Sequence, residues 1–180
     1  MLQITIPSRE LWDSEKEEFI QTKDQILCLE HSLVSVSKWE ERWCKSFFSK
    51  KEKTYEEIID YIKCMTITQN VDPDVYKYLT DRNFYVINKY IEAPMTATHF
   101  AKSKTRGNNG EILTAEIIYY QMIYFNIPFE CRKWHLNKLL TLIRVCIVKS
   151  TPPQKMSNGE IMRRNAALNS ARRKRFNTRG

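Results

Sequence analysis

The sequence predicts a mainly α-helical, bundle-like single domain with a short N-terminal β-hairpin element and a basic C-terminal helical tail. Apolar residues recur at helical spacing through most of the chain after residue 32, whereas strand-like alternation is confined to its start. Of the 29 Lys and Arg, eight follow residue 150, together with a single acid. Hydrophobic residues make up 42% of the 180 positions, which indicates a globular protein with a sizeable core.

The N-terminus carries the β signal. Leu2, Ile4 and Ile6 alternate with polar residues, which is the period of a half-buried strand, and Pro7 ends the run. Two further apolar runs, at 19–20 and 26–29, flank the polar Thr-Lys-Asp at 22–24. This arrangement predicts a short hairpin between them.

Helical patterns begin at residue 32. The apolar stripe of the first helix consists of Val36, Trp39, Trp43 and Phe47. Either Ser32 or Ser35 is placed to cap its start. The second helix begins at Thr54, which stands at capping-box spacing from Glu57 and leads into an apolar face. That face consists of Ile58, Ile59, Ile62 and Met65. Two further helical segments follow before Pro94.

A predicted loop at 96–110, which contains Gly107-Asn-Asn-Gly110, precedes two apolar helices within residues 114–148. The two helices meet at 126–128 and are too short and interrupted to span a bilayer, which needs about 20 apolar residues. The prolines at 152–153 then end the helical core. We therefore divide the chain into a core domain, 1–150, and a C-terminal extension, 151–180.

The extension holds nearly all of the net charge. Its eight basic residues against one acid give +7 of the chain's +8, so residues 1–150 carry only +1. Ser157 and Glu160 stand at capping-box spacing and begin a helix predicted to place Ile161, Leu168 and Ala171 opposite the arginines. The candidate charged contacts are Arg163, Arg164, Arg172, Arg173, Lys174 and Arg175. Such an arm suits an acidic protein or nucleic acid, and equally a solvated extension.

The sequence contains no pattern typical of catalysis or metal binding. His31, His99 and His135 lack the spacing of a helical zinc site, and we expect His135 to be packed within an apolar helix. The five cysteines form no Cys-x-x-Cys pair, which predicts reduced, mostly buried thiols in a cytoplasmic protein. We therefore predict no enzymatic activity, no metal and no cofactor.

The aromatic content of residues 114–148 is higher than one inner helix face needs. Aromatic side chains concentrate at protein interfaces, so part of this set is predicted to contact a partner. The candidate partner-binding residues are Tyr119, Tyr120, Met122, Tyr124, Phe125, Phe129 and Trp134. Helical spacing also suits these side chains to a buried core, and the sequence alone does not separate the two roles.

The Tyr-rich helix, the Asn-Ile-Pro-Phe turn at 126–129 and Lys133-Trp-His-Leu-Asn-Lys-Leu-Leu140 resemble tail assembly chaperones of tailed phages and prophages of Gram-positive bacteria. Residues 29–39 and 163–180 are also similar to that group. The resemblance implies a non-enzymatic protein of the host bacterial cytoplasm that binds the tape-measure protein and recruits tail-tube subunits. It leaves homo-oligomerisation open, and the basic C-terminus departs from the family's more acidic pattern.

Two other functions stay open on the sequence. One is a structural virion component, such as a neck, connector or capsid-associated protein, whose tail touches packaged DNA. The other is a small nucleic-acid-binding regulator. No membrane partner is predicted, because no apolar run reaches the length of a bilayer span and the start lacks the regions of a signal peptide.

Overall fold

The computed structural model describes residues 1–8, 10–13, 18–21, 24–100, 112–151 and 158–177. Its strands are β1 (Leu2–Ile6), β2 (Glu10–Asp13), β3 (Glu18–Gln21) and β4 (Gln25–Leu29). Its α-helices are α1 (Leu33–Trp43), α2 (Tyr55–Met65), α3 (Asp81–Glu92), α4 (Ala115–Tyr124), α5 (Leu136–Ser150) and α6 (Asn158–Phe176), and 3₁₀ helices occupy Pro73–Tyr78 and Phe129–Lys133. The prediction of a mainly helical protein with short antiparallel β-structure at its N-terminus is confirmed.

The chain divides into two compact units, Met1–Cys146 and Ile147–Gly180. The first contains the strands, α1 to α4 and most of α5, and the second contains the end of α5 and α6. Within the described ranges, no helix has the length and apolar character needed to cross a membrane.

The strands form two antiparallel pairs, β1 with β4 and β2 with β3. In the first pair Ile4 lies opposite Leu27, and both are buried while Thr5 is exposed, as the alternating pattern of β1 predicts. The prediction that 19–20 and 26–29 pair with each other in a hairpin is wrong. Because β4 places its apolar residues on the same face as those of β1, it pairs with that strand, and 18–21 pairs back onto 10–13.

Side chains close to the helix starts explain where α1 and α2 begin. The Ser32 hydroxyl accepts the backbone N–H of Ser35 at 3.3 Å, so Ser32 is the cap of α1. Thr54 and Glu57 form the predicted capping box, with the Glu57 carboxylate accepting the Thr54 N–H at 2.9 Å. A second box between Thr80 and Asn83 begins α3.

The predicted apolar stripes of α1 and α2 need correction. Cys44 adopts a left-handed conformation with φ 50° and ends α1, so Phe47 lies outside the helix. Its ring nevertheless packs 5.4 Å from that of Trp39, which is 1% exposed. In α2 the buried apolar side chains are Tyr61, Ile62, Cys64 and Met65. Ile58 is 36% exposed although it stands three and four residues before Tyr61 and Ile62, on the same side of the helix.

The connection between α4 and α5 determines where α5 starts. Leu136 N–H donates to the carbonyl of His31 at 2.7 Å, and Ser32 and His135 form an isolated antiparallel bridge. These bonds hold residues 134–135 extended, so α5 begins at Leu136. The prediction that His135 lies within a helix is therefore wrong, and Trp134 also precedes the helix.

In α6, every described residue is exposed, and basic residues occur all around the helix. Leu168 lies on the same side of the helix as three arginines. Arg164 stands four residues before it, Arg172 four residues after it and Arg175 seven residues after it. The predicted separation of an apolar face from the arginines is wrong for this reason. The proposed cap Ser157 and most of the predicted loop at 96–110 lie outside the described residues.

Candidate partner-binding surface

The outer face of α4 carries three large apolar side chains that contact solvent. Tyr120, Ile123 and Tyr124 are 64%, 67% and 66% exposed, and we call these three residues the α4 patch. They stand at i, i+3 and i+4 and therefore occupy neighbouring positions on the helix surface. The rings of the two tyrosines lie 6.2 Å apart. Adjoining apolar side chains left in water are typical of a surface that another molecule covers.

The opposite face of α4 explains why the patch points outward. Ala115, Ile118 and Met122 are fully buried, and their spacing of three and four residues defines the inner face. The core needs one stripe only, yet the helix is apolar nearly all round. The surplus apolar side chains are therefore presented to solvent.

Contacts from another part of the chain fix the start of α4. The Thr114 side chain makes no capping hydrogen bond. Instead, the Glu40 carboxylate accepts the N–H of Ala115 at 2.7 Å, and the Ser46 hydroxyl donates to the carbonyl of Leu113 at 2.6 Å. The patch is thus carried by a helix whose first turn is held by α1 and the loop after it.

The structure separates the predicted partner-binding residues into distinct environments. Tyr120 and Tyr124 are exposed, as are Phe129 and Trp134 at 45% and 38%. Tyr119 and Phe125 are half-buried. Met122 is fully buried, so its prediction as a contact residue is wrong; it belongs to the inner stripe.

Sequence reasoning missed Ile123, the most exposed member of the patch. The sequence carries no signal that singles it out, because α4 is apolar nearly all round and no polar stripe marks its outer face.

Nearby cations partly cover the rings of the other two exposed residues in the predicted set, Phe129 and Trp134. The Arg132 guanidinium lies 4.6 Å from the Phe129 ring centre, and the Lys138 ammonium lies 4.2 Å from the centre of the Trp134 ring. Tyr119 stacks on Phe129 at 5.6 Å. Among the predicted partner-binding residues, Tyr120 and Tyr124 are therefore the most open to a partner.

The fold brings His31 and His135 together, with ring centres 5.1 Å apart, although the sequence separates them. His31 Nδ1 lies 2.6 Å from the Tyr61 hydroxyl, and His135 Nε2 lies 3.0 Å from the carbonyl oxygen of Tyr90. Because a carbonyl only accepts, His135 carries its hydrogen on Nε2. Burial, with a smaller contribution from His135, lowers the pKa of His31 to about 4, and burial also lowers the pKa of His135.

Both imidazoles are therefore neutral near pH 7 and hydrogen-bonded to their surroundings, which is the packed role expected of His135. Across the part of the chain that the structure describes, no group of three His, Cys, Asp or Glu side chains is arranged to hold a metal ion.

All five cysteines are free thiols, but their predicted burial is only partly correct. Cys64 and Cys131 are buried, Cys28 and Cys146 are half-buried, and Cys44 is exposed at the end of α1. Cys44 is accessible because the left-handed turn at this position carries it out of the helical stripe.

The second unit presents the predicted basic residues to solvent. Arg163, Arg164, Arg172, Arg173, Lys174 and Arg175 are all exposed on α6. Their distribution around the helix favours contact with an anionic surface from several directions.

No protein family, curated protein sequence or solved structure matches the chain. The candidate surfaces therefore rest on the geometry of its own residues.

Proposed function

We propose that this protein binds an apolar helical segment of another protein through the α4 patch and catalyses no reaction. We further propose that it is a tail assembly chaperone that binds the tape-measure protein of a tailed phage in the host cytoplasm. The exposure of Tyr120, Ile123 and Tyr124 on one helix is the observation that carries the binding role. The resemblance of residues 119–140 to tail assembly chaperones supports the choice of partner.

The patch has the geometry of a helix-binding surface. Side chains at i, i+3 and i+4 form a ridge that fits the groove between side-chain rows of a second helix. Covering each of these large side chains would contribute about 1–2 kcal/mol from apolar area removed from water. The two tyrosines retain hydroxyls that can stay hydrated at the rim, as is common for interface aromatics.

Co-expression with the tape-measure protein tests the proposal. The wild-type chain is expected to keep that protein soluble and to co-purify with it. The double variant Tyr120→Ser/Tyr124→Ser should reduce the recovered complex by at least about tenfold, because two central aromatic anchors are removed. Tyr85→Ser provides the matched control, since Tyr85 on α3 is 67% exposed. Equal recovery with the patch and control variants would contradict the proposed surface.

The virion itself separates a chaperone from a structural component. A chaperone that acts only during assembly should be present in infected cells and depleted from purified particles. Mass spectrometry that found the protein at stoichiometric amounts in the virion would support the neck, connector or capsid alternative instead.

A nucleic-acid-binding role is the second candidate, and the basic, exposed α6 favours it. Duplex DNA binding by the full chain can be followed by fluorescence anisotropy from about 50 to 200 mM salt. In this alternative the affinity falls steeply with salt, and neutralising Arg172, Arg173, Lys174 and Arg175 removes most of it. Weak binding that is unchanged in the neutralised variant would exclude this role for α6.

A further inference from the structure

A groove of about 590 Å³ lies in the first unit, between the start of α1, the end of α2, α4 and the 3₁₀ helix at Phe129–Lys133. Three cationic side chains line it: Lys38, Arg132 and Lys133. Its only lining acid within the described ranges is Glu30, whose carboxylate already accepts the Tyr90 hydroxyl at 2.8 Å and the N-terminal ammonium at 2.9 Å. The groove therefore has an excess of positive charge.

Within the described part of the chain, no neighbouring acid neutralises the three cations. Among the residues that the structure describes, none of Lys38, Arg132 and Lys133 has a carboxylate oxygen within 4.0 Å. The first turn of α1, at Ser32 to Ser35, lines the same groove and adds the partial positive charge of a helix start. An anionic ligand would relieve the repulsion among these groups.

The wall of the groove is apolar and firmly held. Met65 and Cys64 are buried beneath it, while Ile67 is 54% exposed. The stretch that carries these residues is tied to β4, with Glu30 N–H donating to the Met65 carbonyl at 2.9 Å and Ile67 N–H to the Cys28 carbonyl at 2.8 Å. A ligand that fills the groove thus meets an apolar surface as well as cations.

This combination favours a peptide over a nucleic acid. Single-stranded nucleic acids are held largely by bases stacking on open aromatic faces. The aromatic ring that lines the groove, that of Tyr119, already stacks on Phe129 at 5.6 Å. An apolar side chain flanked by carboxylates matches both the wall around Ile67 and the surrounding cations.

We infer that this groove binds an acidic peptide segment in which Asp or Glu side chains flank one apolar side chain. The carboxylates pair with Lys38, Arg132 and Lys133, and the apolar side chain contacts Ile67 and Tyr119. The inference depends neither on the α4 patch nor on a role in phage assembly.

Fluorescence anisotropy with the full chain and a fluorescein-labelled peptide, Glu-Asp-Phe-Glu-Asp, tests the inference. The reversal Lys38→Glu/Lys133→Glu should weaken binding by at least about tenfold. Arg82→Glu/Lys89→Glu is the matched control, because it makes the same charge change at two exposed positions of α3 and should leave the affinity within about twofold. A peptide with Ser in place of Phe should bind several-fold more weakly.

Three outcomes would overturn the inference. Equal weakening by the groove and α3 reversals would show general electrostatic attraction only. Equal binding of the Phe and Ser peptides would remove the apolar contact. The third outcome is a thymidine oligonucleotide that binds more tightly than the peptide and whose binding is abolished by Lys38→Glu/Lys133→Glu. That result would identify the groove as a nucleic-acid site.

Tyr120→Ser/Tyr124→Ser should retain peptide binding, so a failure of the α4 patch and a failure of the groove are distinguishable. All the substituted lysines are exposed, so their replacement should leave the fold intact. The groove and α3 variants should therefore unfold at the same urea concentration as the wild type.

Discussion

The Glu40 carboxylate caps α4 from another helix: its Oε2 accepts the backbone N–H of Ala115 at 2.7 Å, across 75 positions of sequence. Its Oε1 accepts the N–H of Phe47, also at 2.7 Å, so one side chain ties the loop after α1 to the start of α4. Glu40 is only 7% exposed, and the two N–H groups compensate for its burial. A charged acceptor at a helix N-terminus also interacts favourably with the helix dipole.

Replacing this side chain should destabilise the protein. Glu40→Ala leaves the N–H groups of Phe47 and Ala115 without acceptors, and we expect the free energy of unfolding to fall by about 2–4 kcal/mol in urea titrations. Glu40→Gln keeps one carbonyl oxygen and should lose about half as much. Glu41→Ala, at an exposed position of the same helix, should change the free energy of unfolding by less than about 0.5 kcal/mol. Similar losses at positions 40 and 41 would contradict the cross-helix cap.

The buried histidines make stability depend on pH in the acid range. Because burial lowers the pKa of His31 from 6.5 to about 4, the unfolded chain binds a proton more readily than the folded one. The stability associated with a neutral His31 is complete above pH 6.5 and is lost as the pH falls from 6.5 to about 4, amounting to about 3 kcal/mol. Urea unfolding at a series of pH values measures this slope.

A non-titrating side chain at position 31 isolates this contribution. His31→Asn retains a polar group near the Tyr61 hydroxyl and should flatten the slope between pH 6.5 and 4. His99→Asn changes an exposed histidine and should leave the slope as in the wild type. If the two variants have the same pH dependence, His31 is not the group responsible.

Asn137 should stabilise the end of α3 from the first turn of α5. Its side-chain amide donates to the carbonyls of Ile91 at 2.9 Å and Ala93 at 2.8 Å, where helical partners run out. Asn137→Ala should lower the free energy of unfolding by about 1–3 kcal/mol and speed hydrogen exchange in the last turn of α3. Asn88→Ala, at an exposed position of α3, should do neither. Unchanged exchange in that turn for Asn137→Ala would show that water replaces the bonds.

Features encoded by adjacent residues could be predicted from the sequence. The caps at Ser32 and at Thr54 with Glu57 involve groups no more than three residues apart, so sequence spacing alone predicts the bonds. The alternation in β1 is likewise a local property of its residues. The helical content and the end of α3 before Pro94 follow from the same kind of signal.

Features that depend on distant contacts could not be read in the same way. The β4 strand has a suitable neighbour in 18–21, but its pairing is decided by the apolar face that β1 supplies. The contact of His31 with His135 depends on the bridge at Ser32, and the α4 cap depends on Glu40. An all-apolar helix such as α4 has no polar stripe to mark its outer face, so the sequence predicted an aromatic surplus without deciding which side chains are exposed.

Met122 and Ile123 test which face of α4 packs on the core and which faces solvent. They are adjacent in sequence, yet Met122 is fully buried and Ile123 is 67% exposed. Met122→Ala should lower the free energy of unfolding by about 2–5 kcal/mol because it leaves a cavity in the core. Ile123→Ala should change it by less than about 0.5 kcal/mol, since its side chain already contacts water.

Binding should show the opposite order: Ile123→Ala weakens recovery of the tape-measure protein in co-expression, whereas Met122→Ala at a temperature where it is fully folded does not. Circular dichroism establishes that temperature. If Met122→Ala weakens binding more than Ile123→Ala does under those conditions, the partner does not bind the outer face of α4.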